Sequence, residues 1–381
     1  MIINEKKLID IISSSKNILL LEPQYTRSYA PLGLAKISAF IKQKGGKVTF
    51  ARNPIPGNFD LICMTSLFTW DSQKVLRAIK NCRGSFFTKN VPIILGGIFA
   101  TLMSEYVLQN VSGVFIFKGV SEILDSVVPD YSIDWRTKGY FTQAMSLFTT
   151  RGCKNKCPYC VVWRNEGSKI KIKNVWRDSL KQISKPIVFV SDNNFLSAPA
   201  EHVSEVISEI NKNHKKVIFD SGLDCSLIDK NNARLLKTLR YEKRGLRFAF
   251  DEMSQNGIYQ KSMEILIDAG VQIGKDKSYT FILYNFNDTP QEALYRSQTA
   301  WKYGSSPYFM RYRPLNLLVD DDFNFFVGKY WTKNLAKAFA IFGQTFGYEK
   351  STFEEWSKKL FQYTKIRLTS EDWEYFYFKR K

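Results

Sequence analysis

The sequence predicts an α/β protein in which a doubly wound parallel sheet is followed by a partial (β/α)6 TIM-like barrel and a small helical C-terminal region. Short apolar runs alternate with helical patterns between residues 17 and 117. Six further strand candidates follow from residue 143, too few to close an eight-stranded barrel. From residue 329 the chain is rich in aromatic residues at helical spacing.

The first part of the chain repeats strand, loop and helix. A helix with apolar spacing at 4–14 precedes an apolar strand at 17–22. The next helix begins at Pro31 and ends at Gly45, because proline suits the first helical turn and glycine the helix end. The remaining strands are predicted at 47–51, 60–65, 91–95 and 114–117, and the helices at 71–81 and 100–108.

The second part begins with a strand at 143–150, after a polar, turn-rich linker at 132–142. The division is therefore a wound-sheet domain at 1–131, the linker, a barrel at 143–320 and a helical region at 321–381, in which Phe339, Phe342 and Phe346 are expected in the core. Further strands are predicted at 186–190, 216–219, 246–250, 277–283 and 308–311, and helices at 175–184, 199–211, 229–239, 255–269 and 290–303.

Three cysteines, Cys153, Cys157 and Cys160, lie close together directly after the strand at 143–150. Thiolates spaced this closely favour an iron–sulfur cluster or zinc. A structural zinc site needs a fourth ligand, and the next candidates, His202 and Cys225, have no paired spacing. In a cubic four-iron cluster, three thiolates would leave the fourth iron open to a ligand that is not protein.

The pattern C-x3-C-x2-C, with Tyr159 before its last cysteine, resembles the radical S-adenosylmethionine (SAM) superfamily. The resemblance implies that Cys153, Cys157 and Cys160 ligate a [4Fe-4S] cluster and that Tyr159 lies near the adenine of SAM. It also implies that the open iron chelates SAM, and that an electron from a reductant such as flavodoxin or ferredoxin cleaves SAM to a 5′-deoxyadenosyl radical.

Basic residues flank the cysteines. Arg151, Lys154 and Lys156 are expected to lower the pKa values of the thiols and to offset the charge of a bound cluster. The alternative is that they are solvated loop charges.

The resemblance also points to the loops after the barrel strands. Ser191, Asp192 and Asn193 follow the second strand, where the family binds the SAM amino group, although the usual Gly-Gly-Glu is absent. An Asx turn before a helix is the alternative. Asp251 and Glu252 follow the fourth strand, where a carboxylate can accept from a ribose diol. A helix N-cap is the alternative there.

The wound-sheet half resembles the cobalamin-binding-type domain found ahead of many radical SAM cores, through its Pro-Leu-Gly-Leu helix at 31–34 and its Gly96-Gly97 turn. The cobalamin-ligating Asp-x-His-x-x-Gly motif is absent and no histidine precedes His202, which excludes a His-ligated cobalamin. The resemblance then implies a domain of one of two kinds, which either holds cobalamin without a protein ligand to the metal or keeps the fold without the cofactor. An ordinary strand-to-helix turn is the alternative for the glycine pair.

The formal charge is +19, from 55 Lys and Arg against 36 Asp and Glu. This excess favours a polyanionic partner, nucleic acid first, although Lys-rich composition alone is the alternative. A basic stretch at 154–185 is expected to line the barrel mouth. The predicted function is radical modification, methylation included, of a nucleic acid or nucleotide-derived molecule. The alternatives are a peptide or small-metabolite substrate, or a zinc-stabilised nucleic-acid-binding protein without catalysis.

No apolar run reaches the roughly 18 residues that span a bilayer, and the N-terminus is too polar for a signal peptide. The other cysteines, Cys63, Cys82 and Cys225, are scattered, as is typical of reduced core thiols. They offer no second cluster motif. The sequence therefore predicts a cytoplasmic protein without a membrane partner.

Overall fold

A computed structural model of the protein describes residues 1–24, 30–135 and 142–378. The chain forms two compact units, Met1–Val188 with Leu315–Asn324, and Phe189–Pro314 with Phe325–Lys381. The predicted division into four regions stays a prediction, and residues 136–141 of its linker lie outside the described residues.

The first unit opens with a six-stranded parallel sheet and its helices. The elements are β1 (Ile2–Ile3), α1 (Glu5–Ser14), β2 (Asn17–Leu21), α2 (Leu32–Gln43), β3 (Lys47–Ala51), β4 (Leu61–Ser66), α3 (Ser72–Gly84), β5 (Ile93–Gly97), α4 (Ile98–Leu102), α5 (Ser104–Asn110), β6 (Val114–Phe117) and α6 (Glu122–Asp125). The strand order is β1-β6-β5-β4-β2-β3. Because the winding direction reverses between β2 and β4, their carboxyl ends border a crevice of the kind in which such sheets bind ligands.

Both faces of this sheet are buried. Leu19 and Ile62 pack into one apolar cluster, whereas their neighbours Ile18 and Leu61 pack into a second cluster on the opposite face. Successive residues of a strand point to opposite faces, so a strand of continuous apolar residues needs helices on both sides. The predicted doubly wound sheet is confirmed.

Two elements differ from the expectation. Strand β1 was not predicted, because two residues carry no periodicity; it pairs with β6, with Ile2 opposite Ile116. The helix predicted at 100–108 is two helices, α4 and α5, since Met103 between them has φ −123° and ψ 36°.

The first unit continues into the segment that carries the cysteines. The strand predicted at 143–150 is shorter and is followed by a second strand, which pairs antiparallel with a strand hidden in the basic stretch, Thr150 opposite Ile172. This hairpin encloses the cysteine loop. The elements are β7 (Ala144–Leu147), β8 (Thr150–Arg151), α7 (Val162–Asn165), β9 (Lys171–Ile172), α8 (Trp176–Gln182) and β10 (Ile187–Val190), within which the boundary between the units falls.

The second unit alternates strands and helices and then becomes helical. Its elements are α9 (Ala200–Lys212), β11 (Lys216–Phe219), α10 (Lys230–Lys237), β12 (Leu246–Ala249), α11 (Ile258–Asp268), β13 (Ser278–Tyr284), α12 (Pro290–Lys302), β14 (Ser306–Arg311), α13 (Lys333–Gln344), α14 (Gly347–Lys350), α15 (Phe353–Ser357), α16 (Leu360–Tyr363) and α17 (Ser370–Tyr377). Strands β12, β13 and β14 are parallel, with Leu246 opposite Ser278 and Tyr279 opposite Ser306. The Phe219 N–H of β11 donates to the Gly245 carbonyl at 2.8 Å and so joins β11 to β12. The predicted α/β fold with a partial barrel is confirmed.

The C-terminal helices surround an aromatic core. Phe339 and Phe342 are buried as expected, and Phe339 lies 4.7 Å from Phe353 between ring centroids. Phe346 is half-buried at the edge of this cluster. Across the described ranges, no helix combines the length and the apolarity needed to cross a bilayer.

Candidate functional site

The cysteine loop is tied to the short helix that follows it. Cys153, Cys157 and Cys160 are half-buried and free of disulfides. The Cys160 N–H donates to the Cys157 carbonyl at 3.1 Å, and the indole N–H of Trp163 donates to the same carbonyl at 3.0 Å. The guanidinium of Arg164 donates to the Cys160 carbonyl at 2.6 Å. Helix α7 therefore holds the backbone around the last two cysteines.

The base of the loop requires glycine. Gly152 has φ 85°, and a Cβ there would overlap the carbonyl oxygen of Lys169. The Gly152 N–H donates to the Glu166 carboxylate at 3.2 Å, and the Cys153 N–H donates to the Gly167 carbonyl at 3.3 Å. The first cysteine therefore enters the loop on a fixed backbone.

The remaining cysteines are unsuited to metal binding. Burial raises the pKa of the Cys63 and Cys225 thiols to about 12 and that of Cys82 to about 11. A thiol ligates metal as the thiolate, and burial makes that form less favourable at these three positions. His202, the histidine considered as a fourth ligand of a zinc site, is buried in α9. The available thiol donors are those of the loop.

The donor chemistry of the loop fits a cluster held by three thiolates. One sulfur, that of Cys160, already accepts an N–H from Val162 at 3.5 Å, the kind of hydrogen bond that tunes cluster potentials. Among the described residues, no three Cys, His, Asp or Glu side chains form a ready metal-ligating group.

Arg151 has a role other than the expected one. Its guanidinium pairs with Asp125 at 3.0 Å and with Glu166 at 3.2 Å, so its charge is met by carboxylates instead of being directed at the thiols. It also stacks on Phe148, 3.7 Å from the ring centroid. Arg151 therefore anchors the start of the loop.

The residues expected to contact SAM lie in the second unit, apart from Tyr159, which is half-buried in the cysteine loop. Ser191 and Asp192 are buried at the end of β10, and Asn193 is half-buried beside them. The next residue, Asn194, was not singled out from the sequence. Its amide donates to Asp224 at 3.1 Å and joins the loops that follow β10 and β11.

The other residues expected to contact SAM, Asp251 and Glu252, lie at the end of β12. The Asp251 carboxylate accepts the Leu283 N–H at 3.1 Å, which ties β12 to β13. The backbone N–H groups of Asp251 and Glu252 both donate to Gln255 Oε1, at 2.6 and 3.2 Å. Glu252 is the N-cap of a 3-10 turn at Met253–Gln255, as the helix-cap alternative expects, and the long helix α11 starts only at Ile258. Their roles toward SAM stay predictions.

A buried arginine behind this edge was missed by the sequence reasoning. Arg296 of α12 is fully buried, and its guanidinium donates to the Phe250, Asp251 and Leu283 carbonyls at 3.0, 2.7 and 2.8 Å. It also pairs with the Asp288 carboxylate. Arg296 therefore holds the carboxyl ends of β12 and β13 together. The sequence did contain a clue, because Arg296 lies on the otherwise apolar face of the helix predicted at 290–303.

The glycine turn of the wound sheet is structurally required. Gly97 has φ 102°, and a Cβ there would overlap the Ser66 carbonyl oxygen of β4. The Ser66 hydroxyl donates to the Gly96 carbonyl at 2.8 Å and accepts the Ala100 N–H at 3.0 Å. The close approach of β4 to the start of α4 explains why an ordinary turn residue would not serve here.

The carboxyl edge of this sheet borders the cysteine segment. The Thr101 hydroxyl donates to the Gly97 carbonyl at 2.8 Å and accepts the Gly119 N–H at 2.9 Å. A Cβ on Gly119 would lie 3.5 Å from the Asn165 carbonyl oxygen of α7. The loop after β6 is therefore in contact range of the helix that follows Cys160.

The basic stretch at 154–185 is partly neutralised within the fold. Lys171 and Lys173 pair with Glu122 and Asp125 at 2.6 and 2.7 Å. Lys154 and Lys156 are exposed on the cysteine loop. Fewer charges are thus available to a polyanion than the sequence suggested.

The solved structures that resemble the chain include two of one protein. One is the radical S-adenosylmethionine methyltransferase TsrM from Kitasatospora setae with cobalamin and a [4Fe-4S] cluster bound, at 14% identity and a TM-score of 0.60, covering 80% of this chain and 77% of that one. The other is TsrM with a tryptophan substrate and the SAM analog aza-SAM, at 13% identity and a TM-score of 0.61, covering 80% and 75%. The chain has the fold of this methyltransferase.

The likeness in fold reaches residues of both units, because four fifths of the chain align. No protein-family model and no curated protein matches the sequence. At such identity the likeness concerns the fold, and the chemistry has to be argued from the residues.

Proposed function

We propose that the protein is a radical SAM enzyme that binds a [4Fe-4S] cluster through Cys153, Cys157 and Cys160. The observation that carries this proposal is the cysteine loop: three half-buried thiols enclosed by a hairpin, on a chain with the fold of a radical SAM methyltransferase. Burial of the other three thiols supports it, because a buried thiol is a poor source of a fourth thiolate ligand and the loop itself supplies three.

The second unit is proposed to hold SAM. Asp192, with Ser191 and Asn193, would accept hydrogen bonds from the ammonium group of SAM, and Asp251 and Glu252 would accept from its ribose hydroxyls. Burial of Ser191 and Asp192 supports this assignment, since a buried carboxylate is a strong partner for a desolvated cation. The half-buried ring of Tyr159 would contact the adenine.

When bound, the cluster supplies the electron that cleaves SAM and yields a radical able to abstract hydrogen from an unreactive C–H bond. The protein's own contribution is positioning. The Val162 N–H would stabilise negative charge on a ligating Cys160 sulfur, and the fixed backbone at Gly152 would orient Cys153.

Methylation is the outcome that the fold favours, with cobalamin as the methyl carrier at the crevice between β2 and β4. The contact range between the Gly119 loop and α7 supports this, because it brings the carboxyl edge of the wound sheet beside the cysteine segment. With no histidine before His202, cobalamin would be held without a histidine ligand to cobalt. Cobalt bound by the anaerobically purified protein tests this part.

The function predicts that the reconstituted protein releases 5′-deoxyadenosine from SAM under anaerobic conditions with reduced flavodoxin or ferredoxin. Liquid chromatography with mass spectrometry measures the product, and omission of the reductant is the control. A protein that retains zinc, takes up no iron and releases no 5′-deoxyadenosine would show that the loop is a structural zinc site.

The substrate is proposed to be a nucleic acid or a nucleotide-derived molecule. The net charge of +19 and the exposed Lys154 and Lys156 on the cysteine loop support it, although part of the basic stretch is paired internally. Phosphate contacts make binding depend steeply on salt.

Filter binding to DNA and RNA tests this substrate class. Replacing Lys154 and Lys156 together by alanine is expected to reduce the slope of log K against log salt by about 1 to 2, as two lost phosphate contacts would. The matched control replaces Lys230 and Arg234, two exposed cations of α10, and should leave the slope unchanged. Binding that does not respond to salt would favour a peptide or small-metabolite substrate.

A further inference from the structure

A buried carboxylate in the first unit forms ion pairs with three cationic side chains. Asp125 ends α6 with 3% of its side chain exposed, and it contacts Lys36 of α2, Arg151 of β8 and Lys173, which follows β9. Burial alone would raise the pKa of Asp125, but these cations outweigh it and hold the pKa far below its usual range. The carboxylate is therefore ionised and fully engaged.

The contacts have the geometry of an anchor. Arg151 meets both carboxylate oxygens of Asp125, with Nε 3.2 Å from Oδ2 and Nη2 3.0 Å from Oδ1, which is the strong two-point arrangement. Lys173 Nζ lies 2.7 Å from Oδ2. Since Arg151 precedes the cysteine loop and Lys173 follows it, one carboxylate holds both ends of the loop. An exposed pair between Glu122 and Lys171 repeats the connection one helical turn away.

The helix that carries Asp125 is itself fixed. The Ser121 hydroxyl caps α6 by accepting the Leu124 N–H at 3.1 Å, and it donates to the Glu5 carboxylate of α1 at 2.5 Å. The same Glu5 carboxylate accepts the Ile123 N–H at 3.0 Å. The anchor therefore connects the cysteine loop to the first and second helices of the wound sheet.

A ligand site is a poor explanation for these charges. The cavity beside Lys36, Asp125 and Lys173 has a volume of about 10 Å³, room for one water molecule and not for a phosphate. Only 9% of the Lys36 side chain is exposed, and this burial lowers its pKa to about 8 against the opposite pull of Asp125. The cations serve the carboxylate and not a bound anion.

We propose that Asp125 is a positioning residue that sets the cysteine loop for cluster binding by holding its two ends, Arg151 and Lys173, against the wound sheet. The inference rests on the proposed function for the purpose of the loop. The ion pairs of Asp125 with Arg151 and Lys173 exist in the protein without a cluster, so their effect on the loop can be tested in that form.

The two lysines offer a matched pair of variants, because both contact the same carboxylate and only Lys173 is attached to the cysteine hairpin. Hydrogen exchange on the full-length protein without added iron is expected to show about tenfold or faster exchange at 152–170 in Lys173→Met and Asp125→Asn. In Lys36→Met the exchange of the same segment should stay within about twofold of the wild type, because Arg151 and Lys173 still hold the loop.

A second readout separates positioning from general support. After reconstitution, the electron paramagnetic resonance spectrum of the reduced cluster should change in Lys173→Met and stay unchanged in Lys36→Met. Equal exchange at 152–170 in the two lysine variants, or acceleration that extends equally to β2 and β4, would overturn the proposal. Absence of any cluster in the wild type would instead refute the proposed function and leave the exchange result standing.

Discussion

Replacing Cys157 with alanine is expected to reduce 5′-deoxyadenosine formation at least about a thousandfold, because two thiolates cannot retain the cluster in place of three. Cys153→Ala and Cys160→Ala should have the same effect, since each removes one of three equivalent ligands. The measurements are iron and sulfide content after anaerobic reconstitution and product formation by mass spectrometry.

The matched control is Cys82→Ala in the same unit, because that thiol is buried in α3 and burial raises its pKa to about 11. Its iron content and activity should equal those of the wild type. If Cys157→Ala keeps its iron while Cys82→Ala loses it, the ligand assignment is wrong.

Replacing Arg296 with methionine is expected to lower the free energy of unfolding of the protein by about 3 to 5 kcal/mol. The change removes the cation that pairs with the buried Asp288 carboxylate and the donor to three strand-end carbonyls. It leaves the Asp288 carboxylate with the neutral donors of Trp331 and Phe286. Urea unfolding followed by circular dichroism measures the loss. SAM affinity should fall as well, because Asp251 sits on the edge that Arg296 holds.

Two comparisons make this prediction specific. Arg234→Met, at an exposed position of α10, should change stability by less than about 0.5 kcal/mol. The double variant Arg296→Met with Asp288→Asn should be more stable than Arg296→Met alone, because no uncompensated charge is then buried. A loss below about 1 kcal/mol in Arg296→Met would mean that these contacts do not hold the strand ends.

The long periodic elements could be predicted from the sequence because their cause is local. The strand predicted at 216–219 is β11, and the helix predicted at 290–303 differs from α12 by one residue at its end. Short elements such as β1 and α6 were missed, since two or four residues have no period and form only through contacts with distant parts of the chain.

The candidate site follows the same division. The cysteine spacing is a local pattern and pointed directly at the loop. Asp125 and Arg296 instead contact partners that are distant in the sequence, such as Arg151 and Phe250. A clue was present for both networks. Lys36 and Arg296 interrupt the apolar faces of α2 and α12, and a cation in such a position demands a buried acceptor.

The most direct test of the account is the electron paramagnetic resonance spectrum of the reduced, reconstituted protein before and after addition of SAM, together with its iron and sulfide content. We expect about four iron and four sulfide per chain and a spectrum that changes when SAM binds the open iron. A cluster whose spectrum ignores SAM, or a protein that binds zinc in its place, would contradict it.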